Sequence, residues 1–546
     1  MMNKKILSIV FCTLLIATAI PVIGSINNKR GIISFENNNV QPCSLENWNE
    51  IQILLASDGE INDQFGGCVS IDGDYAVIGA LGDDDYGEAS GAAYVFKRYG
   101  STWIEQHKLT ASDGASMDFF GCSVSIYGDY IIVGAERDDD NGIGTGSAYV
   151  FKRSDSTWIE EQKLTASDGA SMDEFGCSVS LYENYAIIGA SYNGNGKAYV
   201  FKRSGSTWIE EQKLTASDGE YGDDFGWSVS LDGDYILIGA PGNDDYGDDS
   251  GAAYIFTYSG STWIEQVKLN DTNGAESDWF GLHVAINGDY AVVGAHLDDN
   301  YDSTGSVFIF KRSGSIWNEV QKLNISNSIA FGWYVSCDVD NIIVASIADN
   351  DNEGAAYIYR YDDTSSSWIF VQKITASDGA STEGFGESVS ISGDYAVVGN
   401  SNRMDDRGSV YVFIKVENQP PSAPTINGPT KGLPFFFSYP FTFISTDPEG
   451  DDVSYYIEWG DGKKTDWTSY HPSGSPGYTE SHNWLGIGKY TIKAKAKDTF
   501  GLESPWTEFS FSTPRNRAFD NPIFRFLENN PLLFKIFQLL FKQFKV

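Results

Sequence analysis

Between residues 47 and 416 the apolar positions fall in short runs separated by Gly, Asp and Asn, without the three-four spacing of an amphipathic helix. One complete unit runs from Gln162 to Phe201, QKLTASDGASMDEFGCSVSLYENYAIIGASYNGNGKAYVF, and KRSGSTW follows it. It predicts four strands. An alternating segment follows a Phe-Gly pair and ends in a tight turn such as Gly128-Asp129-Tyr130. A wholly apolar run ending in Gly-Ala comes next (AVIGA at 76–80, IIVGA at 131–135, ILIGA at 236–240), as expected of a strand covered on both faces. GSAYVFKR and the Trp-initiated TWIEEQKLTA supply the third and fourth strands.

The Phe-Gly pair recurs at Phe65, Phe120, Phe175, Phe225, Phe280, Phe331 and Phe385, and the Trp at Trp48, Trp103, Trp158, Trp208, Trp263, Trp317 and Trp368. A period of 50 to 55 residues built from strands marks a propeller-like array. Four antiparallel strands make one blade. The last copy ends at GSVYVFIKV (408–416) without a fourth strand, whereas Trp48 precedes the first Phe-Gly. The expectation is an all-β, seven-bladed β-propeller over residues 47–416, in which the segment around Trp48 completes the final blade and removes the free sheet edges.

Flanking segments differ. Lys4 and Lys5, the apolar run Ile6 to Ile20 and Gly24-Ser25 read as a signal peptide over 1–24, with an uncleaved anchor as the alternative. Pro420-Pro421-Ser422-Ala423-Pro424 lies in a linker at 417–424, and residues 425–513 alternate as in a β-sandwich. In the tail, 514–546, Asn530 and Pro531 can open an amphipathic helix through Lys542. That helix is too short to span a bilayer and suits a membrane interface, the sandwich or another subunit.

The formal charge of −38 excludes a nucleic-acid partner, which requires a basic stripe. Cys43, Cys68, Cys122, Cys177 and Cys337 remain after the signal, an odd number without CxxC spacing, so neither zinc nor a disulfide framework is indicated. His107, His283, His296, His471 and His482 form no metalloprotease spacing, and neither a G-x-S-x-G elbow nor a P-loop occurs. His283 and His296 break the repeat near Asp298 and Asp299, where a metal site and a chance pair of substitutions are both open. Asn270 and Asn324 begin glycosylation sequons. A Trp at the same place in every copy points to packing on the outer strand rather than to a sugar platform.

Because strands alternate in direction, links 2–3 and 4–1 should leave one end of each sheet, and links 1–2 and 3–4 the other. The 2–3 links are acidic: Asp83, Asp84 and Asp85; Asp138, Asp139 and Asp140; Asp244 and Asp245; Asp298 and Asp299; Asp349 and Asp351; Asp405 and Asp406. The 4–1 links add Asp58/Asp63, Asp113/Asp118, Asp168/Asp173, Asp218/Asp223 and Asp378/Glu383. Lys97-Arg98, Lys152-Arg153, Lys202-Arg203 and Lys311-Arg312 approach the opposite end. The acids serve as turn formers and solubilising charge, or as a cation-binding or partner-binding rim. The third 2–3 link, Ser191 to Gly196, carries no acid, so a uniform metal array is not expected.

The Phe-Gly and Gly-Ala signposts, with Gly239-Ala240-Pro241 complete, resemble the FG-GAP repeat of integrin α heads and microbial surface proteins. That resemblance implies extracellular recognition or adhesion, with calcium in the loops. The integrin-type D-x-D-x-D-G-x-x-D loop is absent. In its place stand turns such as Asp72-Gly73-Asp74-Tyr75, whose two carboxylates cannot supply the six to eight oxygens calcium takes. Calcium is therefore kept as a cofactor candidate only at the 2–3 acids. Trp459-Gly460-Asp461-Gly462, His482-Asn483-Trp484, Gly488-Lys489-Tyr490-Thr491, Asp498 and Gly501 resemble a PKD-type immunoglobulin sandwich, with Trp484 where that family more often has Tyr.

The functional expectation is a secreted or cell-surface recognition protein without catalytic residues. Its partner would be an extracellular protein or a polysaccharide, with envelope association through the tail. A polysaccharide-processing enzyme or accessory and a structural envelope component are the alternatives.

Overall fold

The computed structural model describes residues 46–513, except 299–303, 327, 350–352, 379–383 and 434–436, together with positions 526, 530 and 533. The signal segment and the tail helix anticipated above lie outside the described residues, as do Asp299, Asp351 and Glu383.

The chain divides into two units, with the change at Val416–Glu417. In the first, β1 (Glu46–Leu54) precedes a sheet of β2 (Phe65–Asp72), β3 (Tyr75–Ala80), β4 (Ala92–Tyr99) and β5 (Thr102–Leu109), paired in chain order. The pattern repeats as β6–β9 (120–164), β10–β13 (179–214), β14–β17 (229–269), β18–β21 (284–323) and β22–β25 (331–374). The seventh four-stranded sheet is β26–β28 (389–417), and β1 pairs beside β28 (Ser409–Glu417) as its outer strand. One helical turn, α1 (Arg403–Asp406), interrupts the last 2–3 link, where the sequence pattern gave no helix. The first strands of successive sheets touch one another, and β2 touches β26. The sheets thus form a closed series with the first strands at its centre.

The glycine signposts have a steric cause. A Cβ on Gly79 of β3 would lie 2.0 Å from the carbonyl oxygen of Gly121, which opens β6 in the next sheet. The same collision recurs at Gly134 (2.0 Å), Gly189 (2.0 Å), Gly239 (1.9 Å), Gly294 (2.2 Å) and, across the closure, Gly399 against Gly66 (2.0 Å). Phe-Gly and Gly-Ala are therefore two halves of one contact, in which bare backbones of neighbouring sheets meet. At the sixth sheet Ala345 stands in the glycine position. There a Cβ on the facing Gly386 would have its nearest backbone oxygen at 3.0 Å, against 2.3 Å for Gly176 and 2.2 Å for Gly226 and Gly281.

The outer strands are tied by a second set of joints. Each recurrent Trp is 6 % exposed or less, and all but Trp48, which faces the sheet where Asn341 replaces the Tyr, pack edge-on against a Tyr of the preceding sheet: Trp158 on Tyr75 at 5.8 Å, Trp103 on Tyr395 at 5.9 Å across the closure. The packing role anticipated for these residues holds. An Arg from each Lys-Arg pair lies over the same ring, Arg153 over Tyr75 at 4.5 Å and Arg98 over Tyr395 at 4.4 Å. Its guanidinium also reaches the turn of its own sheet, Arg153 pairing with Asp129 and Arg98 with Asp74. Where a Gln stands four places after the recurrent Trp, it clamps the backbone of the next Trp from both sides: Gln52 to Trp103 at 2.7 and 2.8 Å, Gln372 to Trp48 at 3.0 and 2.7 Å.

The second unit holds a three-stranded sheet of β29 (Thr425–Asn427), β30 (Tyr439–Ile444) and β33 (Tyr478–His482), in that order, facing a four-stranded one of β32 (Lys464–Thr465), β31 (Ser454–Glu458), β34 (Gly488–Lys497) and β35 (Thr507–Thr513). Trp459, Trp484, Phe441, Tyr455 and Phe511 fill its core. His482 stacks on Trp459 at 4.5 Å, and its Nε2 lies 3.0 Å from Asp461 Oδ2. Trp484 stacks on Phe511 at 4.1 Å and donates its indole N–H to the carbonyl of Trp459. The acids at Asp447 to Asp452 form a turn, in which Asp447 Oδ1 accepts the amides of Glu449 and Asp451.

Candidate functional site

The two acidic links of one sheet meet, and a lysine stands between them. In the first sheet Lys108 Nζ, from β5, lies 2.9 Å from Asp58 of the 4–1 link and 2.7 Å from both Asp83 and Asp85 of the 2–3 link. Tyr94 of β4 donates its hydroxyl to Asp58 and Asp83. The second sheet repeats this with Lys163 at 2.8 Å from Asp113 and 2.7 Å from Asp138 and Asp140, beneath Tyr149. The fourth sheet joins Lys268 to Asp218 and Asp245, the fifth Lys322 to Asp271 and Asp298, and the sixth Lys373 to Asp349. Asp83, Asp138, Asp298 and Asp349 are buried, whereas Asp85, Asp140 and Asp245 are exposed.

Departures from the pattern are compensated. In the third sheet, whose 2–3 link lacks acids, Lys213 keeps Asp168 and Lys197 pairs with the buried Asp173. Asn243 takes the place of the buried Asp in the fourth sheet and donates to Asp223. In the seventh, Ile53 occupies the lysine position of the outer strand. Arg403 of α1 reaches Asp378 instead and lies over the Tyr411 ring.

Electrostatics follow from this crowding. Burial alone would raise the carboxyl groups of Asp58, Asp113 and Asp218; hydrogen bonds from the lysine and tyrosine outweigh it and hold each below the ordinary 3.8. A second, deeper set is pushed the other way. Burial, with nearby carboxylates adding to it, takes Asp118 and Asp278 up to about 6, and Asp224 likewise.

These contacts bear on a divalent cation. Asp113, Asp138 and Asp140 offer oxygens within 4.8 Å of one another, but Lys163 already sits among them. Asp244, Asp248 and Asp249 form a similar group without a lysine, and three oxygens fall short of calcium's six to eight. Asp84 and Asp139 join neither group. On side chains alone the described residues do not fit calcium. Asp248 and Asp249 were not singled out from sequence.

His283 and His296 do not come together with Asp298, which pairs with Lys322. His283 stacks on Tyr334 at 4.0 Å, and burial pushes it down to about 3. His296 stands between Trp279 and Trp333, ring centres 5.6 and 5.0 Å away, and burial takes it down to about 4. Glu136 and Glu387 also went unremarked in the sequence, although each is the one carboxylate in its column of the repeat. Among the described residues, no helix is long and apolar enough to cross a membrane.

A closed series of like four-stranded sheets followed by a sandwich defines a β-propeller with an appended β-sandwich. The FG-GAP repeat pattern matches residues 48–96, 103–151, 158–201, 208–256, 263–310 and 368–413, more than half of the chain. The chain belongs to the FG-GAP repeat family. The stretch between 310 and 368 lies outside the match although it forms the same strands.

Among solved structures, the chain is similar to the PKD domain of an M14-like peptidase from Thermoplasmatales archaeon SCGC AB-540-F20. Identity is 42%, over 18% of this chain and 99% of that one, with a TM-score of 0.17. It is also similar to the PKD1 domain of Epp from Vibrio anguillarum (23%, covering 18% and 100%, TM-score 0.15). A putative 6-phosphogluconolactonase from Bacteroides uniformis ATCC 8492 matches at 11% identity over 75% of this chain and 99% of its own, TM-score 0.40. No curated protein matches.

Proposed function

We propose that this protein is exported and acts outside the cell in recognition or adhesion. It would present the acid-bearing 2–3 and 4–1 links to a protein or polysaccharide partner. The observation that carries the reading is the meeting of those links around a shared lysine, as at Lys108, which gathers carboxylates at one end of a sheet while leaving Asp85 and Asp58 open to solvent. Loops held on a rigid scaffold are where binding residues concentrate. FG-GAP repeats and PKD domains are typical of extracellular and cell-surface proteins. In this reading residues 1–24 are removed on export, 47–416 form the binding domain, 425–513 serve as a spacer, and 514–546 hold the protein at the envelope. No step requires calcium.

The test replaces Asp84, Asp85, Asp139, Asp140, Asp244 and Asp245 together by Asn. All are exposed, so folding should persist. Binding to cells and to envelope polysaccharides should fall while the melting temperature holds. Undiminished binding would remove the acidic links from the function.

A further inference from the structure

The residue second after each recurrent Phe and the residue just after each Gly-Ala stand at the same end of the central strands, where they interleave from sheet to sheet. Contacts fix the arrangement. Cys177 Sγ lies 3.6 Å from Ser191 Oγ in its own sheet, Ser401 donates to Glu387 in its own, and His296 meets Trp333 of the following sheet. Most occupants are small or aliphatic. Apart from Glu136 in the second sheet, the exceptions form one arc, from Trp227 in the fourth sheet through His296 in the fifth and Trp333 in the sixth to Glu387 in the seventh.

Trp333 on β22 and Glu387, just ahead of β26, hold equivalent positions of the repeat, and β22 touches β26. The Glu387 carboxylate accepts from Ser401, and burial holds its pKa above the ordinary value. Among the described residues it makes no ion pair with a basic side chain. Farther round, Glu136 is likewise raised by burial, and its neighbour Arg137 pairs instead with Glu174 at 2.8 Å. His296 is only 6 % exposed, and its Nδ1 has no hydrogen-bond partner. A half-buried carboxylate without a cation is costly, and the Trp at the equivalent position of the neighbouring sheet offers a ring face, so an organic cation would gain from both. A neutral sugar would use the indole face and leave the charge uncompensated. The net charge of −38 raises the local concentration of cations of any kind.

We propose that this central mouth binds an alkylammonium group, laid against Trp333 and charge-paired with Glu387. The inference is independent of the exposed loop acids replaced in the test above, since none of them contributes. The ammonium belongs either to a free polyamine or to a lysine side chain of a partner protein.

Isothermal titration calorimetry of the full-length protein with cadaverine and with Nα-acetyl-lysine methylamide tests this. At least one probe should saturate. Glu387→Gln and Trp333→Leu should each weaken binding about tenfold or more. If Trp333→Leu fails to fold, Glu387→Gln, nearly isosteric, carries the test alone. Cadaverine binding about tenfold tighter than the lysine analogue, with the difference abolished by Glu136→Gln, assigns a free diamine; equal binding assigns a side chain. Absence of saturation by both probes, affinities unchanged in Glu387→Gln, or saturation by maltose but by neither amine would each overturn the proposal. Replacing the exposed loop acids by Asn should leave amine binding intact, so the two readings fail separately.

Discussion

Replacing Lys163 by Met tests whether the ammonium is the cation on which the second sheet depends. The side chain keeps its length and loses its charge. Three carboxylates then face one another without it. Asp113 and Asp140 are 40% and 57% exposed at the side chain, so water screens most of what they lose. Asp138 is 4% exposed and retains the Tyr149 hydroxyl. Removing one partner of a buried pair costs about 3–5 kcal/mol, and the remaining hydroxyl places the expectation near the lower end, about 3 kcal/mol. Urea unfolding followed by tryptophan fluorescence reads the loss. The double variant with Asp138→Asn should recover most of it, because no buried charge is then left unpaired. A loss below about 1 kcal/mol, or no coupling to Asp138, would refute the reasoning.

Other perturbations probe other joints. Gly239→Ala places a methyl 1.9 Å from the Gly281 carbonyl oxygen, so unfolding should shift by about 3 kcal/mol or more, whereas Ala345→Gly should cost little. Asp118, Asp224 and Asp278 titrate near 6 when folded and near 3.8 when unfolded, so the folded state binds the proton more tightly. Their effect is to lower stability as pH rises from about 4 to about 6.5; the melting temperature should be higher at pH 5 than at pH 7.5, with Asp118→Asn flattening the difference. Below that window Asp58, Asp113 and Asp218, whose folded values lie under 3.8, lose their stabilising pairs, so stability should decline again in stronger acid. Deleting residues 46–54 removes β1 and exposes the edge of β28, and light scattering should report association of the truncated protein.

The repeat was legible because its signposts act through the backbone. A glycine demanded by a 2.0 Å approach admits few substitutes, so Gly79 and Gly121 recur as visible letters. The closing strand was legible by counting, since Trp48 had no sheet of its own. The lysine was not. Lys108 is 50 residues from Asp58 and 23 from Asp85, and only the register of β4 on β5 brings it to both. The replacement of Ile53 by Arg403 was hidden for the same reason: charge is conserved at a point in space and not at a column of the repeat. Glu387 carried a signal of another kind, as the one charged member of a column that otherwise holds Gly, Cys, Leu and Trp. Reading the repeat for what recurs passes over it; reading it for what does not would have found it.

The pairing of β1 with β28 has a mechanical consequence. Both termini of the first unit issue from a single sheet, the seventh. A pull applied between the preceding and following segments therefore loads the bonding of β1 to β28 and bypasses the other six sheets. Those two strands act as a clasp, and tension would unfasten it before straining the arc that holds Trp333.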